Sequence, residues 1–347
     1  MKYSVNYVAS LSDLAVIEIT GADAGSFLHG QLTHDVVNLG AEQARFAGYC
    51  TAKGRLLGSL VFWHEENVEP PTIHALVKAD IAEALVKRLS MFVLRAKAKL
   101  RITDLRVQGL SIKWTNAPDT SSVEPDNTSA PGLALLPQFD LNTLPVQPPS
   151  GTVRRIAGIT CIAAPSADPL QDRWWIIAAP ADASADPSMQ HSAESGPADA
   201  EARWQAADIA AGLPWVVAAT QDVFIPQTLN LDLIDGVSFT KGCYPGQEVV
   251  ARSHYRGTVK RRMAYGTVSE ASAQPAGSLP GIDIFDANKP NSPCGRVINS
   301  ARAQNTHLLL EIQLSDLETA DFRLGEPGGP AITLQALPYA ITVNDQD

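Results

Sequence analysis

One stretch of the chain gathers residue types that can do chemistry at close spacing. It reads Lys241-Gly242-Cys243-Tyr244-Pro245-Gly246-Gln247-Glu248, followed by Arg252, Arg256, Lys260, Arg261 and Arg262. Two glycines bracket a cysteine and a tyrosine, so the backbone is built to bend and to approach something closely. Pro245 suits the first turn of a helix, which the residues from Gln247 to Tyr255 can continue and Gly257 can end. Cys243 then sits two residues ahead of that turn, where helix N–H groups, Lys241 and Arg252 favour a thiolate, the nucleophilic and metal-ligating form of cysteine. Glu248, Arg252 and Arg256 fall at successive i, i+4 positions along one helix face. Six cations and one acid lie between 241 and 262, where an even spread of the chain's 27 Lys and Arg would place about two. Such a field suits a polycarboxylate, a phosphate or an acidic partner. The bland alternatives stand beside these readings: a small buried cysteine in a tight turn, and a solvated arginine row or one that ties two modules together.

Other candidates are weaker. Trp174-Trp175 reads as core rather than as a ligand platform. His29, His34 and His254 have no second metal ligand at i+4 and read as surface or polar-core residues. The four cysteines, Cys50, Cys161, Cys243 and Cys294, are widely separated, which supports neither a disulfide framework nor a zinc site, and no stably bound metal is expected.

The elements that must position the motif can be read from periodicity. Strands are expected at 15–19, 44–50, 56–63, 73–77, 99–104, 107–114 and 174–178, with helices at 24–31, 81–92 and 202–211, the last closed by Gly212 and Pro214. Residues 118–149 hold seven prolines and read as an excursion, with one strand near 133–136. The Ala/Ser/Asp/Pro-rich segment 181–200 reads as an insertion. Beyond 257 helices stop and short apolar runs recur between turns, the pattern of a small antiparallel barrel. This gives an α+β chain divided as 1–115, 116–150, 151–256 and 257–347.

The 347 residues carry a formal charge of −10. A dedicated nucleic-acid coat needs a basic face, so direct RNA contact is not expected from global charge. Neither a membrane-spanning run nor a secretory leader is visible, which points to the cytoplasm, no membrane partner and free thiols.

The motif Lys241-Gly242-Cys243-Tyr244-x-Gly246-Gln247-Glu248, with Arg252, Arg256-Gly257 and Lys260-Arg261, resembles the signature of the YgfZ family of folate-binding, T-protein-like factors. Ile225-Pro226-Gln227-x-x-Asn230-Leu231, Phe27-Leu28-x-Gly30-Gln31-Leu32-Thr33-x-Asp35-Val36 and Lys53-Gly54-Arg55 fit the same family. The resemblance implies an aminomethyltransferase-type fold: two α+β modules forming a folate-binding body and a C-terminal antiparallel β-barrel, around a central channel. It implies tetrahydrofolate or a one-carbon derivative as ligand. It also implies a role in assembly or repair of iron–sulfur clusters on client enzymes, some of which modify tRNA. Cys243, with Lys241, would be the reactive pair at the channel mouth. Gln31, Thr33, Asp35, Asp172, Pro226, Gln227, Asn230, Tyr244, Gln247, Glu248, Arg252 and Arg256 would be the folate-side residues. Asp172 would read the pterin amino group through a charge-assisted fork.

One departure separates the chain from glycine-cleavage T-proteins. Gly58 and Ser59 stand where those enzymes carry two aspartates, and neither can accept a proton near neutral pH. A folate-dependent one-carbon transferase therefore remains the alternative reading, in need of another base such as Asp35 or Asp172.

Overall fold

The structure, a computed structural model, describes residues 2–115, 141–180, 199–255, 259–271 and 278–341. The expected strand at 133–136, most of the Pro-rich stretch, residues 181–198 of the expected insertion, and both Arg256 and Gly257 lie outside them.

The elements in chain order are β1 (Lys2–Ser10), β2 (Leu14–Thr20), α1 (Ala24–His29), β3 (Ala44–Cys50), β4 (Leu56–His64), β5 (Thr72–Lys78), α2 (Ala79–Ser90), β6 (Lys99–Ile102) and β7 (Arg106–Thr115). They continue as β8 (Val153–Ile156), β9 (Ile159–Ala164), β10 (Gln171–Ala178), α3 (Ala200–Ala210) and α4 (Gln247–Tyr255). The last part holds β11 (Arg261–Val268), β12 (Asp283–Asp286), β13 (Lys289–Arg302), β14 (Thr306–Gln313), β15 (Phe322–Leu324) and β16 (Thr333–Gln335).

Three antiparallel sheets result, with strand orders β3-β4-β5-β2-β6, β1-β7-β10-β9-β8 and β15-β12-β13-β14-β11-β16. The first is apolar on both faces, and its side chains divide by the two-residue period of a strand. Leu60 and Phe62 of β4 join the cluster beneath α2, while Val61 and Trp63 join a central cluster that reaches all three sheets. α2 closes the outer face with Ile81, Leu85 and Leu89 at four-residue intervals. β10 alternates likewise: Trp175 faces the centre and Trp174 the outer cluster, both fully buried, as core residues. Trp175 meets Trp204 of α3 and Trp215 at ring distances of 6.4 and 6.3 Å, so α3 is pinned at the junction of the modules.

The third sheet curls into the C-terminal half-barrel. Asn230, at φ 56, donates to the Met263 carbonyl at 2.9 Å and ties the 226–229 turn to β11. β1 and β7 pair with each other in the sheet that holds β8 to β10, so the sheet β3-β4-β5-β2-β6 is nested in sequence between two strands of its neighbour. Among the described residues no helix is long and apolar enough to cross a membrane.

Candidate functional site

The cysteine loop is clamped from two sides. On one side Lys241, 8% exposed, sends its ammonium to the carbonyls of His29 and Leu32, the latter at 2.8 Å. Those carbonyls end α1 and its following turn, where a cation is favoured by the unpaired C=O groups. Burial pushes the Lys241 ammonium down to about 8, against the opposing pull of the Asp35 and Cys243 charges. The ammonium also stands 4.9 Å from the centre of the buried Tyr244 ring. On the other side Gly246, at φ +80, lies against the 51–54 turn: a Cβ there would fall 2.4 Å from the Thr51 carbonyl oxygen and 2.6 Å from Gly54 Cα. Gly54, at φ +74, faces back onto Val249 and the Gly246 carbonyl. The two Gly-containing motifs, 53–55 and 241–248, are thus one backbone-to-backbone contact.

Cys243 itself is exposed, whereas Cys50 and Cys161 are buried and burial pushes their thiols up to about 12. Beside it, Gly242 lies under the His29 ring; a Cβ there would sit 3.5 Å from Nε2. His29 Nδ1 is 3.2 Å from Asp35 Oδ1. Burial opposes ionisation of Asp35, but bonds from the Asn38 side chain and N–H, with His29 nearby, hold its carboxyl below the usual value. The loop bearing Asp35 is not helical; its carboxylate caps the Asn38 N–H. His29, read from the sequence as a surface or polar-core residue, is the side chain that joins Asp35 to the cysteine loop. Its six-residue spacing from Asp35 across a turn gave no periodic signal.

A separate cavity of about 660 Å³ lies between the first two sheets, the 233–235 segment and Tyr339. Phe46 and Trp175 give it apolar walls, and Arg45, Asp172 and Arg173 line it as well. Asp172 accepts from Trp114 Nε1 at 2.7 Å and from the Gln147 N–H at 2.9 Å, both on Oδ2. Arg173 is held inward: it donates to Asp208 Oδ1 at 2.6 Å and lies 4.0 Å over the Trp204 ring. Cys243 does not line this cavity. Two bonded loops separate them: Thr33 accepts from the Gly48 N–H and donates to the Gly236 carbonyl, each at 2.7 Å, and Asp235 of the cavity wall meets His34 and Arg45 at 3.5 Å.

The expected site residues therefore fall into groups. Thr33, Asp35, Lys241, Cys243 and Tyr244 come together around the loop, and Asp172 stands alone in the cavity. Gln31 keeps its Oε1 buried without a hydrogen-bond partner among the described residues. Pro226, Gln227 and Asn230 are buried beneath α4 and β11, where Gln227 donates to the Val250 carbonyl at 2.6 Å. Gln247 is half-buried at the start of α4, and Glu248 and Arg252 are exposed on it. Three of the motif's six cations are drawn out of the open field their count suggested. Lys241 is buried on carbonyls, Arg262 is fork-bonded to Asp232 at 2.6 and 3.0 Å, and Arg261 pairs with Glu311 at 3.1 Å. Acids thus neutralise Arg261 and Arg262, while Arg252 and Lys260 stay exposed with no carboxylate partner among the described residues. Gly58 packs on Leu85, where a Cβ would be 2.9 Å from Cδ1, and Ser59 is fully buried, accepting from the Val216 N–H. No carboxylate stands at either position.

Two α+β sheets, a C-terminal half-barrel and a cavity among them define the aminomethyltransferase (T-protein) class of fold. The glycine cleavage system aminomethyltransferase T of Bartonella henselae superposes with a TM-score of 0.65 over 96% of this chain and 86% of its own, at 13% sequence identity. The chain belongs to the YgfZ family. It is 30% identical to the tRNA-modifying protein YgfZ of Vibrio vulnificus over 260 residues, 74% of this chain and 68% of the relative. It is 29% identical to that of Sodalis glossinidius over 341 residues, 96% of this chain and 92% of the relative. No family model matches the chain.

Proposed function

We propose that the protein is a cytoplasmic, folate-binding accessory factor that maintains iron–sulfur clusters on client enzymes, including those that modify tRNA, through the thiol of Cys243. The observation that carries this reading is the contrast among the four cysteines. The motif cysteine is presented to solvent by a loop fixed at both ends, while Cys50 and Cys161 are buried. A lone thiolate is one of the four usually needed to hold a cluster. Cys243 therefore acts by thiol exchange or by transient ligation shared with a client or an assembly factor, its partners in this reading.

The cavity suits tetrahydrofolate or a one-carbon derivative. Its volume falls within the range of small-molecule sites, about 300–1,000 Å³. Its Phe46 and Trp175 walls fit a flat ring; Asp172, on the strand face of Trp174, engages Trp114 and Gln147 through Oδ2, so Oδ1 is the atom it would offer the donor edge of a pterin. Arg45 at the rim suits a carboxylate tail. Bound there, the folate supplies a one-carbon carrier. The transferase alternative is disfavoured by Gly58 and the fully buried Ser59, neither of which carries a carboxylate.

Two measurements test this. Titration with tetrahydrofolate should quench the tryptophan fluorescence of the wild type, and Asp172→Asn should weaken binding about tenfold, as expected for loss of one charge-assisted bond. Cys243→Ala should bind folate normally yet fail to restore cluster-dependent RNA thiolation in cells lacking the endogenous gene. Full restoration by Cys243→Ala removes the thiol from the function. Turnover of a methylamine donor by that variant establishes the transferase reading instead.

A further inference from the structure

Among the described residues a dense run of exposed cations lies away from the cysteine motif. Between 87 and 106 the sequence holds seven cations, Lys87, Arg88, Arg95, Lys97, Lys99, Arg101 and Arg106, against one acid, Asp104. All seven are exposed. Among the described residues only Arg101 has a carboxylate partner, Glu18 at 2.7 Å. The chain as a whole carries −10, so this concentration is not a general solubility device.

The same segment exposes apolar side chains. Met91 is 68% exposed, Phe92 45% and Leu94 88%. Leu94 has φ 44, a conformation that a branched side chain adopts only at a cost. The geometry that presents them is continuous: the last turn of α2, the loop 91–98, the edge strand β6 and the first residue of β7.

We propose that residues 87–106 form a docking track for RNA carrying unpaired bases. The cations neutralise successive phosphates. The side chains of Met91, Phe92 and Leu94, interleaved with them, pack against unstacked bases, as aromatic and aliphatic side chains do in single-strand sites. A bilayer surface would ask for cations in one plane around an inserted tip. Here they run on past the tip, along a sheet edge to β7, a line that suits a linear polyanion. Lysines on an edge strand also block strand addition. That role covers Lys99, and Arg88 hydrogen-bonds the Tyr49 hydroxyl; Arg95, Phe92 and Leu94 are left unexplained. The site is independent of the cavity and of Cys243.

The test is fluorescence anisotropy of a labelled, unstructured RNA oligonucleotide with the full chain, from about 50 to about 200 mM salt, the range in which counterion release is steep. Wild type should bind with a negative slope of log affinity on log salt. The triple variant Arg95→Gln/Lys97→Gln/Lys99→Gln should flatten that slope by about 2, from about 0.7 per lost phosphate contact. Phe92→Ser should weaken binding about tenfold with the slope unchanged, the signature of a lost base stack. Lys289→Gln, exposed on the barrel, should change neither. Thermal melts confirm that the variants fold. Absence of binding at about 50 mM salt, an unchanged slope in the triple variant, or an equal loss in Lys289→Gln overturns the proposal. So does retention of the chain by phosphatidylglycerol vesicles through these residues with no RNA binding.

Discussion

Replacing Gly246 with alanine probes the contact on which the cysteine loop depends. At φ +80 an L-residue pays about 1–2 kcal/mol for the left-handed conformation. The added Cβ would fall 2.4 Å from the Thr51 carbonyl oxygen and 2.6 Å from Gly54 Cα and N, which are backbone atoms and cannot rotate away. Overpacking of that kind costs about 1–3 kcal/mol more. The sum is about 2–5 kcal/mol. For a protein of this size, that lowers Tm by about 3–7 °C. Because the strain lies between 246 and the 51–54 turn, the loop should lift, and the rate of Cys243 alkylation should change along with Tm. Gly54→Ala meets the same interface from the other side, so the double variant should lose less than the sum of the singles. A Gly246→Ala protein with wild-type Tm and an unchanged alkylation rate would show that the two motifs do not bear on each other in solution.

Native protein treated with a slow alkylating reagent should lose one thiol quickly, and Cys243→Ala should abolish that phase, since Cys50 and Cys161 are buried and Cys294, half-buried, has its thiol pushed up to about 11 by burial; peptide mapping checks this. Asp208→Asn should destabilise by about 3–5 kcal/mol in urea, because it strands Arg173, 1% exposed, without its charge partner. Lys241 loses its proton near pH 8 when folded and near 10.5 when unfolded. Between those values the unfolded chain holds the extra proton, so this group adds stability as pH rises. The stability of wild type relative to Lys241→Met should accordingly climb from about pH 8 to about 10.5, read from urea melts across that range; a flat difference refutes the buried-ammonium assignment.

Much of the fold was legible because its signals are local. The strand at 44–50 was placed to the residue, and β4, β5 and β10 to within one to three residues, since each is an apolar run bounded by turn residues. α2 was legible from Ile81, Leu85 and Leu89, although it starts at Ala79 and stops at Ser90, two residues earlier than its stripe suggested at each end. β1, β8, β9 and β15 were missed. β1 mixes Lys, Tyr, Ser and Asn, and it is a strand because β7 pairs with it across about a hundred residues. β8 carries Arg154 and Arg155, which break its apolar pattern and pair with Glu42 and Glu65. The cysteine motif was legible as a bent loop opening a helix at Gln247, and that helix is present. The electrostatics were legible only in part. Counting charges along 241–262 suggested an open cationic field; Asp232 and Glu311 close its Arg262 and Arg261 end, while Arg252 and Lys260 stay exposed. A second run of exposed cations lies at 87–106, where net charge averaged over the chain concealed it.

The nesting of one sheet between β1 and β7 sets a timetable for synthesis. β1 leaves the ribosome well before β7, its hydrogen-bonding partner, which is not made until about a hundred residues later. At about 5–20 residues per second that is a wait of roughly 5–20 s. Throughout that interval Tyr7 and Val8 have no sheet to enter, while β2 to β6 can already close on α2. The nascent chain therefore carries an unpaired ribbon edge beside a finished lobe, and that interval is when a holding chaperone has most to gain from binding it.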